Sequence, residues 1–379
     1  MASVGIICEY NPFHNGHLHH LETIKELYPN QTIVLVLSGN FTQRGDFSII
    51  DKWKKVEIAK QAGIDLIVEL PFPFATQSAD VFSYGAISIL ESLKVDKFVF
   101  GSENDNLDDL IEIAKCQVEN EDFDKLVKIY SKFGLNYPTA INNAVYDLTG
   151  KKVNTPNDLL GVSYIKTIMQ NNYNIKPICI KRTNDYHDDS LSDISSGTAI
   201  RNALSQNKDI SNSIPTFVSP YLNNLHFRND YFKLLKYRIM TDNNLNIYQT
   251  VDEGIDRKIK KVILECNNYE DLIDKVKSKR YTYNRISRML LHILVGFTKE
   301  MANNMKKVDY IRILGFNAKG QAYLNSVKKD CDLPILSRFK KNTSDMLELE
   351  LQTTIIYNLT NKNNLLVEEE YKNHLGKEV

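Results

Sequence analysis

The chain has 379 residues, of which 42% are hydrophobic and 25% charged, a composition typical of a globular protein. At roughly 100 to 200 residues per domain, this length predicts two domains. Lysine plus arginine equals aspartate plus glutamate at 47 each, so no overall field draws the protein to nucleic acid or to a membrane. Any basic binding surface must therefore be local.

The cysteines indicate a reduced protein. They are odd in number, widely spaced and never in a C-x-x-C pair, which argues against a disulfide framework and a structural zinc site. The apolar run at residues 4–8 is too short for a signal peptide, and no later run approaches about 18 apolar residues. We therefore expect a cytoplasmic protein without a membrane segment. The cysteines are Cys8, Cys116, Cys179, Cys266 and Cys331.

The first half of the sequence alternates short apolar runs with helical patterns. Because the strand runs are apolar at every position, they should be covered on both faces, as in a parallel sheet. The predicted fold class is α/β, with a Rossmann-like doubly wound parallel sheet. Strands are predicted at residues 4–8, 32–37, 65–69, 97–100 and 177–181. Helices are predicted at about residues 17–27, 51–62, 79–93, 107–115, 123–133 and 158–170.

The character of the sequence changes after residue 205. Strand patterns become rare, and amphipathic helical patterns dominate from residue 231 onwards. We place a boundary near Gln206, with a first domain of residues 1–205 and a mostly α-helical second domain of residues 206–379.

The segment His14-Asn15-Gly16-His17 follows the first predicted strand. In doubly wound sheets, ligands bind at the carboxyl ends of strands, where the next helix offers free N–H groups and its positive dipole end. Gly16 lets a ligand approach the backbone, and His14 and His17 can present both imidazoles to one side. Two such donors would stabilise charge on an α-phosphate. The alternative is a group of surface histidines that begins an amphipathic helix.

A second element, residues 195–201, follows the last predicted strand. Hydroxyl groups at a helix start, free amides and Arg201 together form a site for an outgoing pyrophosphate. The alternative is a plain N-cap followed by a solvated arginine. Residues 12–20 resemble the signature of the nucleotidyltransferase superfamily, and residues 195–201 resemble the S-S-T-x-I-R motif of adenylyltransferases with one glycine inserted. Without a K-M-S-K-S loop, an aminoacyl-tRNA synthetase is disfavoured.

Further motifs extend the resemblance over most of the chain. Together with residues 5–20, they resemble the tRNA(Met) cytidine acetate ligase family. The motifs are Ser38-Gly39-Asn40-Phe41-Thr42-Gln43-Arg44-Gly45-Asp46, Glu69-Leu70-Pro71, Gly101-Ser102-Glu103, Lys279-Arg280-Tyr281-Thr282 and Arg312-Ile313-Leu314-Gly315-Phe316. The resemblance implies a two-step reaction. Acetate attacks the α-phosphate of ATP to give acetyl-adenylate and pyrophosphate, and the acetyl group passes to the wobble cytidine of elongator tRNA(Met), forming N4-acetylcytidine.

The resemblance also implies the site. His14, His17 and Arg201 are the expected catalytic residues. The expected nucleotide-binding residues are Ile7, Cys8, Glu9, Tyr10, Asn11, Pro12, Phe13, His14, Asn15, Gly16, His17, Leu18, His19, His20, Gly101, Asn157, Arg182, Ser195, Ser196 and Thr198. Mg²⁺ is expected from ATP chemistry, and no metal ligands are predicted. Structural alternatives are a strand end for Gly101, a helix N-cap for Asn157 and a solvated charge for Arg182.

The loop of residues 38–46 follows the second predicted strand. It can bind acetate or order the reactive phosphate, or it can be an exposed turn closed by glycines.

A basic stretch without acids runs from residue 275 to residue 288. Phosphate neutralisation supplies most of the affinity for RNA, so a neutral protein needs such a patch. At about 100° per residue, Arg285, Arg288 and His292 form a stripe beside an apolar face, so the helix should dock on the core and still expose its arginines. Tyr281 and Tyr283 either stack on unpaired bases or pack beneath a solvated face. The expected RNA-binding residues are Lys275, Lys277, Lys279, Arg280, Arg285 and Arg288.

Two other functions are compatible with the motifs. One is an adenylyltransferase for a small metabolite, which the large basic second domain disfavours. The other is a non-catalytic RNA-binding protein, which the intact motif residues His14, Gly16, His17 and Arg201 disfavour. No protein partner is evident from the sequence.

Overall fold

A computed structural model describes residues 1–182, 193, 195–361 and 365–372. Its sheet has seven strands in the order β5-β4-β1-β2-β3-β6-β7. The strands are β1 (Ser3–Cys8), β2 (Thr32–Ser38), β3 (Leu66–Leu70), β4 (Lys97–Ser102), β5 (Lys176–Lys181), β6 (Ile311–Phe316) and β7 (Ile335–Leu336).

Helices cover both faces of the sheet and form most of the chain after residue 205. They are α1 (Asn15–Leu27), α2 (Lys52–Gln61), α3 (Phe72–Ala75), α4 (Ala79–Ser92), α5 (Leu107–Glu119), α6 (Phe123–Lys132), α7 (Tyr137–Thr149), α8 (Pro156–Gln170), α9 (Gly197–Ser205), α10 (Phe232–Thr241), α11 (Ile255–Val262), α12 (Tyr269–Val276), α13 (Tyr283–Val295), α14 (Lys299–Asn304), α15 (Ala318–Val327), α16 (Asp345–Asn358) and α17 (Leu365–Tyr371).

The predicted α/β fold is confirmed. Each of the five predicted strands is present, and the pairs β1–β2, β1–β4, β2–β3 and β4–β5 are all parallel. Every residue of β2 and β3 is buried, as strands covered on both faces must be. The carboxyl ends of these strands therefore meet at one edge of the sheet.

Two features differ from the expectation. Helix α7 was not predicted, although Asn136 caps its start and Pro138 lies in its first turn. Strand β6, which lies far beyond residue 205, pairs antiparallel with β3 and extends the sheet. The division of the chain at residue 205 stays a prediction, and the sheet itself continues across it.

Buried charges join α2, β3, β6, α16 and α17. Lys52 Nζ lies 2.6 Å from Glu69 Oε1 and 2.7 Å from Glu370 Oε1. Arg312 Nη1 lies 3.3 Å from Glu69 Oε2 and 2.6 Å from Glu370 Oε2. The two cations, Lys52 and Arg312, are thus balanced by two carboxylates, Glu69 and Glu370. A third carboxyl group, that of Glu350, accepts a hydrogen bond from the Phe72 N–H.

The pKa values of Glu350 on α16 and Glu370 on α17 shift in opposite directions. Burial, with repulsion from Glu69, raises the pKa of Glu350 to about 8. Burial alone would also raise the pKa of Glu370, but Lys52 and Arg312 outweigh it and lower that pKa to about 2. At neutral pH, Glu350 is therefore mainly protonated, and the cluster is close to neutral.

Glu350 should make the protein less stable in mild alkali. Because its pKa in the folded state is raised from 4.5 to about 8, its stabilising contribution is full below pH 4.5 and is lost as the pH rises through about 8. Glu350→Gln cannot ionise, so we expect a smaller fall in its free energy of unfolding between about pH 6 and pH 9 than in the wild type. Urea titrations across this range measure the difference.

The matched control is Glu368→Gln, which changes an exposed carboxylate on α17. Its pH dependence should equal that of the wild type. A Glu350→Gln protein with the wild-type pH dependence would contradict the assignment of this titration to Glu350.

Candidate active site

The HxGH segment, residues 14–17, joins the end of β1 to the start of α1. His14 is the N-cap of α1, and its Nδ1 accepts a hydrogen bond of 3.1 Å from the Gly16 N–H. The His14 N–H donates in turn to Nδ1 of His17, at 3.3 Å. A neutral imidazole whose Nδ1 accepts carries its proton on Nε2. Both histidines therefore offer an Nε2–H donor, and their rings stack with centroids 3.8 Å apart.

Burial keeps His14, His17 and His20 neutral, because it lowers the pKa of each imidazole. Burial lowers the pKa of His14 to about 3, and the nearby Arg182 and Arg201 add to this effect. Burial also lowers the pKa of His17, well below its usual value, and that of His20 to about 4. The site thus provides hydrogen-bond donors without positive charge at these positions, while its cations are arginines.

Arg201 links the second motif to the first. Its Nη1 donates to the carbonyl oxygen of Asn11, at 2.7 Å. The inserted glycine, Gly197, lies where α9 meets the first motif, since a Cβ there would be 3.4 Å from that carbonyl oxygen and 3.9 Å from Cδ2 of His14, which are ordinary contact distances. The two sequence motifs, about 180 residues apart, therefore meet at one place.

The hydroxyl groups of the second motif already have partners. Ser196 caps α9 by accepting from the Ala199 N–H at 3.1 Å, and Thr198 Oγ1 accepts from Arg201. Ser195 is buried, with its Oγ 3.1 Å from that of Ser213. A phosphate bound at the N-terminus of α9 would thus lie beside hydroxyl groups that these hydrogen bonds already hold in place.

The other expected nucleotide-binding residues of the segment 7–20 differ in exposure. Tyr10, Asn11, Pro12 and Phe13 are buried, Ile7, Cys8, Glu9, Asn15, Gly16, Leu18 and His20 are partly exposed, and His19 is exposed. Asn15 has a positioning contact, because its side-chain amide donates to the carbonyl oxygens of Asp193 and Asn212. The packed aromatic residues Tyr10 and Phe13 support the loop.

Gly101, Asn157 and Arg182 lie together at the ends of β4 and β5. A Cβ on Gly101 would lie 3.0 Å from Cγ of Arg182, so the glycine makes room for the arginine side chain. Among the described residues, Nε of Arg182 has no hydrogen-bond partner. Asn157 is not the N-cap of α8, a position that Thr155 occupies. The Asn157 amide instead donates to Glu103, at 2.5 Å.

The loop of residues 38–46, called the β2 loop below, is not an exposed turn. Most of its residues are buried, and its polar groups bind the protein. The Gln43 N–H donates to Glu9 Oε1 at 2.6 Å, and Asn40 accepts from the Lys52 N–H at 2.9 Å. The alternative of an exposed turn was wrong, because residues much later in the chain pack over the β2 loop.

Helix α13 and its neighbours cover the β2 loop. Ser287 Oγ donates to the Gly45 carbonyl oxygen at 3.0 Å, and Arg228 forms an ion pair with Asp46. Gly45 has a φ of +77°, and a Cβ there would lie 2.4 Å from the backbone nitrogen of Arg288. Only glycine fits this contact.

The basic stretch divides into exposed and engaged residues. Lys277, Lys279 and Arg280 are exposed, and Arg280 lies 3.6 Å from a carboxylate oxygen of Glu253. Lys275 Nζ lies 3.3 Å from Asp271. A basic surface therefore exists at residues 277–280, at the connection between α12 and α13.

The expected arginine stripe on α13 is only partly exposed. His292 is fully buried beside Thr76, and Arg288 is largely covered and donates to the Gln43 carbonyl oxygen at 3.3 Å. The Arg285 guanidinium lies 4.4 Å from the ring centroid of Tyr281, a residue that is 7% exposed. This face of the helix packs against the β2 loop and α3, a contact that periodicity within one helix cannot reveal.

Two residues that hold the site together were not predicted. Lys55 donates through Nζ to the carbonyl oxygens of Glu9, Ser38 and Gly39, at 2.9, 2.7 and 2.6 Å. Arg228 joins Asp46 to Glu270. A lysine or arginine in an amphipathic sequence predicts an exposed side chain, so no local signal distinguishes these two.

Two absences apply to the described residues only. No group of three or more His, Cys, Asp and Glu side chains there is arranged to hold a metal ion. Among the helices of this part of the chain, none is both long enough and apolar enough to cross a membrane.

Known proteins resemble the chain over nearly its whole length. A profile of the HIGH nucleotidyl transferase family matches residues 1–372. The tRNA(Met) cytidine acetate ligase of Clostridium acetobutylicum is 39% identical over 96% of each chain. That of Caldicellulosiruptor saccharolyticus is 39% identical over 99% of this chain and 98% of its own.

Solved structures agree with these relatives. The crystal structure of apo Thermotoga maritima TmcAL has a TM-score of 0.90 and 30% identity, and covers 98% of this chain and 97% of its own. The same protein with alpha-thio ATP bound has a TM-score of 0.88 and 29% identity over the same shares.

Replacing His17 by alanine should abolish most adenylation. The change removes one Nε2–H donor and the acceptor that orients the His14 N–H, and loss of one donor to a developing oxyanion costs about 10²- to 10³-fold in rate. The measurement is acetate-dependent exchange of pyrophosphate into ATP. Glu22→Gln on the exposed face of α1 is the matched control and should exchange normally. Wild-type exchange in a folded His17→Ala protein would refute the role of His17.

Proposed function

The chain belongs to the tRNA(Met) cytidine acetate ligase family of HIGH nucleotidyl transferases, and on that premise we propose that it activates acetate with ATP and acetylates the wobble cytidine of elongator tRNA(Met). The exocyclic amine of cytosine is a weak nucleophile because its lone pair is delocalised into the ring. The acetyl group must therefore first be activated as a mixed anhydride with AMP. One observation carries the proposal, namely the two neutral histidine donors beside Arg201 at the end of β1.

The first step is an in-line displacement at the α-phosphate. The Nε2–H groups of His14 and His17 donate to the phosphoryl oxygens as their charge increases, while Arg201 and the N-terminus of α9 hold the departing pyrophosphate. Because Asn11 fixes the Arg201 guanidinium, its remaining donors are oriented before ATP binds. The adenosine would lie over β4 and β5, a position supported by the room beside Gly101 and by the buried Arg182 Nε, which has no hydrogen-bond partner among the described residues.

Mg²⁺ belongs to this proposal only as an ion that arrives with the nucleotide. The side chains around the HxGH segment are neutral imidazoles and arginines, and the carboxylate of Glu9 already accepts from the Gln43 N–H. This donor set does not form a protein cage for a hard cation, which prefers several oxygen ligands. The ion would be coordinated by the phosphates of ATP.

The tRNA would approach the C-terminal part of the chain at the exposed basic residues 277–280. These residues follow α12 and precede α13, the helix that packs on the β2 loop. RNA bound there would be next to the acceptor side of the site, on the opposite side of β1 from the nucleotide. A cytoplasmic location is part of the proposal, because tRNA modification and the free cysteines of the described residues both suit it.

Acetate-dependent formation of acetyl-adenylate without RNA is the direct test of the first step. Labelled acetate and ATP should give labelled acetyl-adenylate and pyrophosphate, which chromatography separates. Adenylation of a phosphorylated metabolite with no product from acetate would instead favour the small-metabolite adenylyltransferase. Absence of any adenylation, with tRNA binding intact, would favour the non-catalytic RNA-binding protein.

Charge reversal at Lys279 and Arg280 should weaken tRNA binding and leave adenylate formation unchanged. Each phosphate contact contributes to the salt dependence of binding, so the double variant should also show a shallower salt slope by about one to two units. Filter binding at several salt concentrations measures both quantities. Lys329→Glu changes an exposed lysine just after α15 and serves as the control. Unchanged affinity in the double variant would place the RNA elsewhere.

A further inference from the structure

The transfer step needs a group that accepts a proton, and this inference rests on the proposed function. When the cytosine amine attacks the acetyl carbonyl carbon, the nitrogen becomes more acidic and must lose a proton to give the amide. Acetate activation has no such need, because acetate is already a carboxylate at neutral pH. A proton acceptor near the HxGH segment would therefore act in the second step only.

His14 and His17 cannot fill this role. Nδ1 of His14 accepts from the Gly16 N–H, and Nδ1 of His17 accepts from the His14 N–H. Each ring therefore carries its proton on Nε2 and has no free lone pair that faces the ligand. Both rings are donors in the arrangement that the backbone imposes.

Three other titratable groups near the site are also engaged. Burial raises the pKa of the Cys8 thiol to about 12, so it stays protonated. The Lys55 ammonium directs its donors at three carbonyl oxygens. Asp46 is paired with Arg228. None of these groups is available as a base.

Among the described residues that follow β1, Glu9 is the carboxylate that remains. It follows β1 directly, and its Oε1 accepts from the Gln43 N–H at 2.6 Å, which fixes the direction of the carboxylate. Among the described residues, no donor binds Oε2. The residue is partly exposed, so a substrate can reach it. We propose that Glu9 is the catalytic base that accepts the proton of the cytosine amine.

The position of Glu9 in the sheet suits the acceptor. The nucleotide is placed over β4 and β5, whereas Glu9 is bonded to the β2 loop on the other side of β1. The same loop contacts α13, which follows the exposed basic residues. A cytidine delivered from the basic surface therefore arrives on the side of β1 where Glu9 lies.

The step balances without a further reactant. The amine nitrogen forms a bond to the acetyl carbon, the bond from that carbon to the phosphate oxygen of AMP breaks, and its electron pair leaves with AMP. The proton of the amine passes to Oε2 of Glu9 and then to solvent. Burial raises the pKa of Glu9, against the lowering effects of the Gln43 N–H and of Arg44, Lys55 and Arg201, while Cys8 and Tyr164 also face it. A carboxylate with a raised pKa is the better base.

Separating the two half-reactions tests the proposal. Glu9→Gln preserves the acceptor for the Gln43 N–H and removes the base. We expect a loss of about 10²-fold or more in single-turnover transfer to unmodified tRNA(Met), far larger than the loss in acetate-dependent pyrophosphate exchange. The wild-type transfer rate should rise with pH through the pKa of Glu9, and this rise should be absent in Glu9→Gln. Glu26→Gln, an exposed change on α1, should match the wild type in both reactions.

Two results would overturn the proposal. Wild-type transfer in Glu9→Gln would assign the proton to another acceptor, such as the AMP phosphate. An equal loss in both half-reactions would make Glu9 a positioning residue for the β2 loop. Glu9→Asp retains a carboxylate and should transfer faster than Glu9→Gln, and it decides the question if the amide variant melts early. If the wild type makes no acetyl-adenylate, the proposed function itself fails, whatever the Glu9 variants do.

Discussion

One buried ammonium group holds together the two loops that form the floor of the site. Lys55 enters from α2 and donates to carbonyl oxygens at the ends of both β1 and β2. Burial lowers its pKa to about 7, so removing this charge from water is costly, and the three hydrogen bonds offset that cost. The HxGH segment and the β2 loop are both anchored through this one nitrogen. Their relative position, and hence the site, depends on it.

The site is a joint product of both parts of the chain. The sheet supplies the histidines, but residues after 205 supply Arg228 for Asp46, Ser287 for Gly45 and the neighbours that bury the β2 loop. Strand β6, which lies after residue 205, adds to the same sheet. A substitution where α13 packs on the β2 loop should therefore alter catalysis as well as RNA binding. The reason is that the β2 loop, which is hydrogen-bonded to Glu9, also contacts α13.

Sequence patterns identified what is local and missed what depends on distant partners. The strands β1 to β5 were predictable because short apolar runs between helical patterns favour buried strands. The positions of the two motifs were predictable because ligand-binding segments of such sheets follow the carboxyl ends of the strands. The burial of Lys52, Lys55 and Arg312 was not predictable. The free-energy cost of removing each charge from water is offset by partners elsewhere in the chain, which a local pattern does not show. For the same reason, Arg288 and His292 look like a surface stripe in sequence and lie against the β2 loop and α3 in the fold.

The buried cluster that includes Glu370 has a consequence for the order of events at the ribosome. Glu370 lies on α17, hundreds of residues after its partner Lys52, and it contacts both cations of the cluster. Until that residue emerges, Lys52 and Arg312 share Glu69 as their close ionised partner, and enclosing them would leave charge uncompensated in a dry interior. The nascent chain would then keep this edge of the sheet open during synthesis. The enzyme would become competent only after α17 has been synthesised.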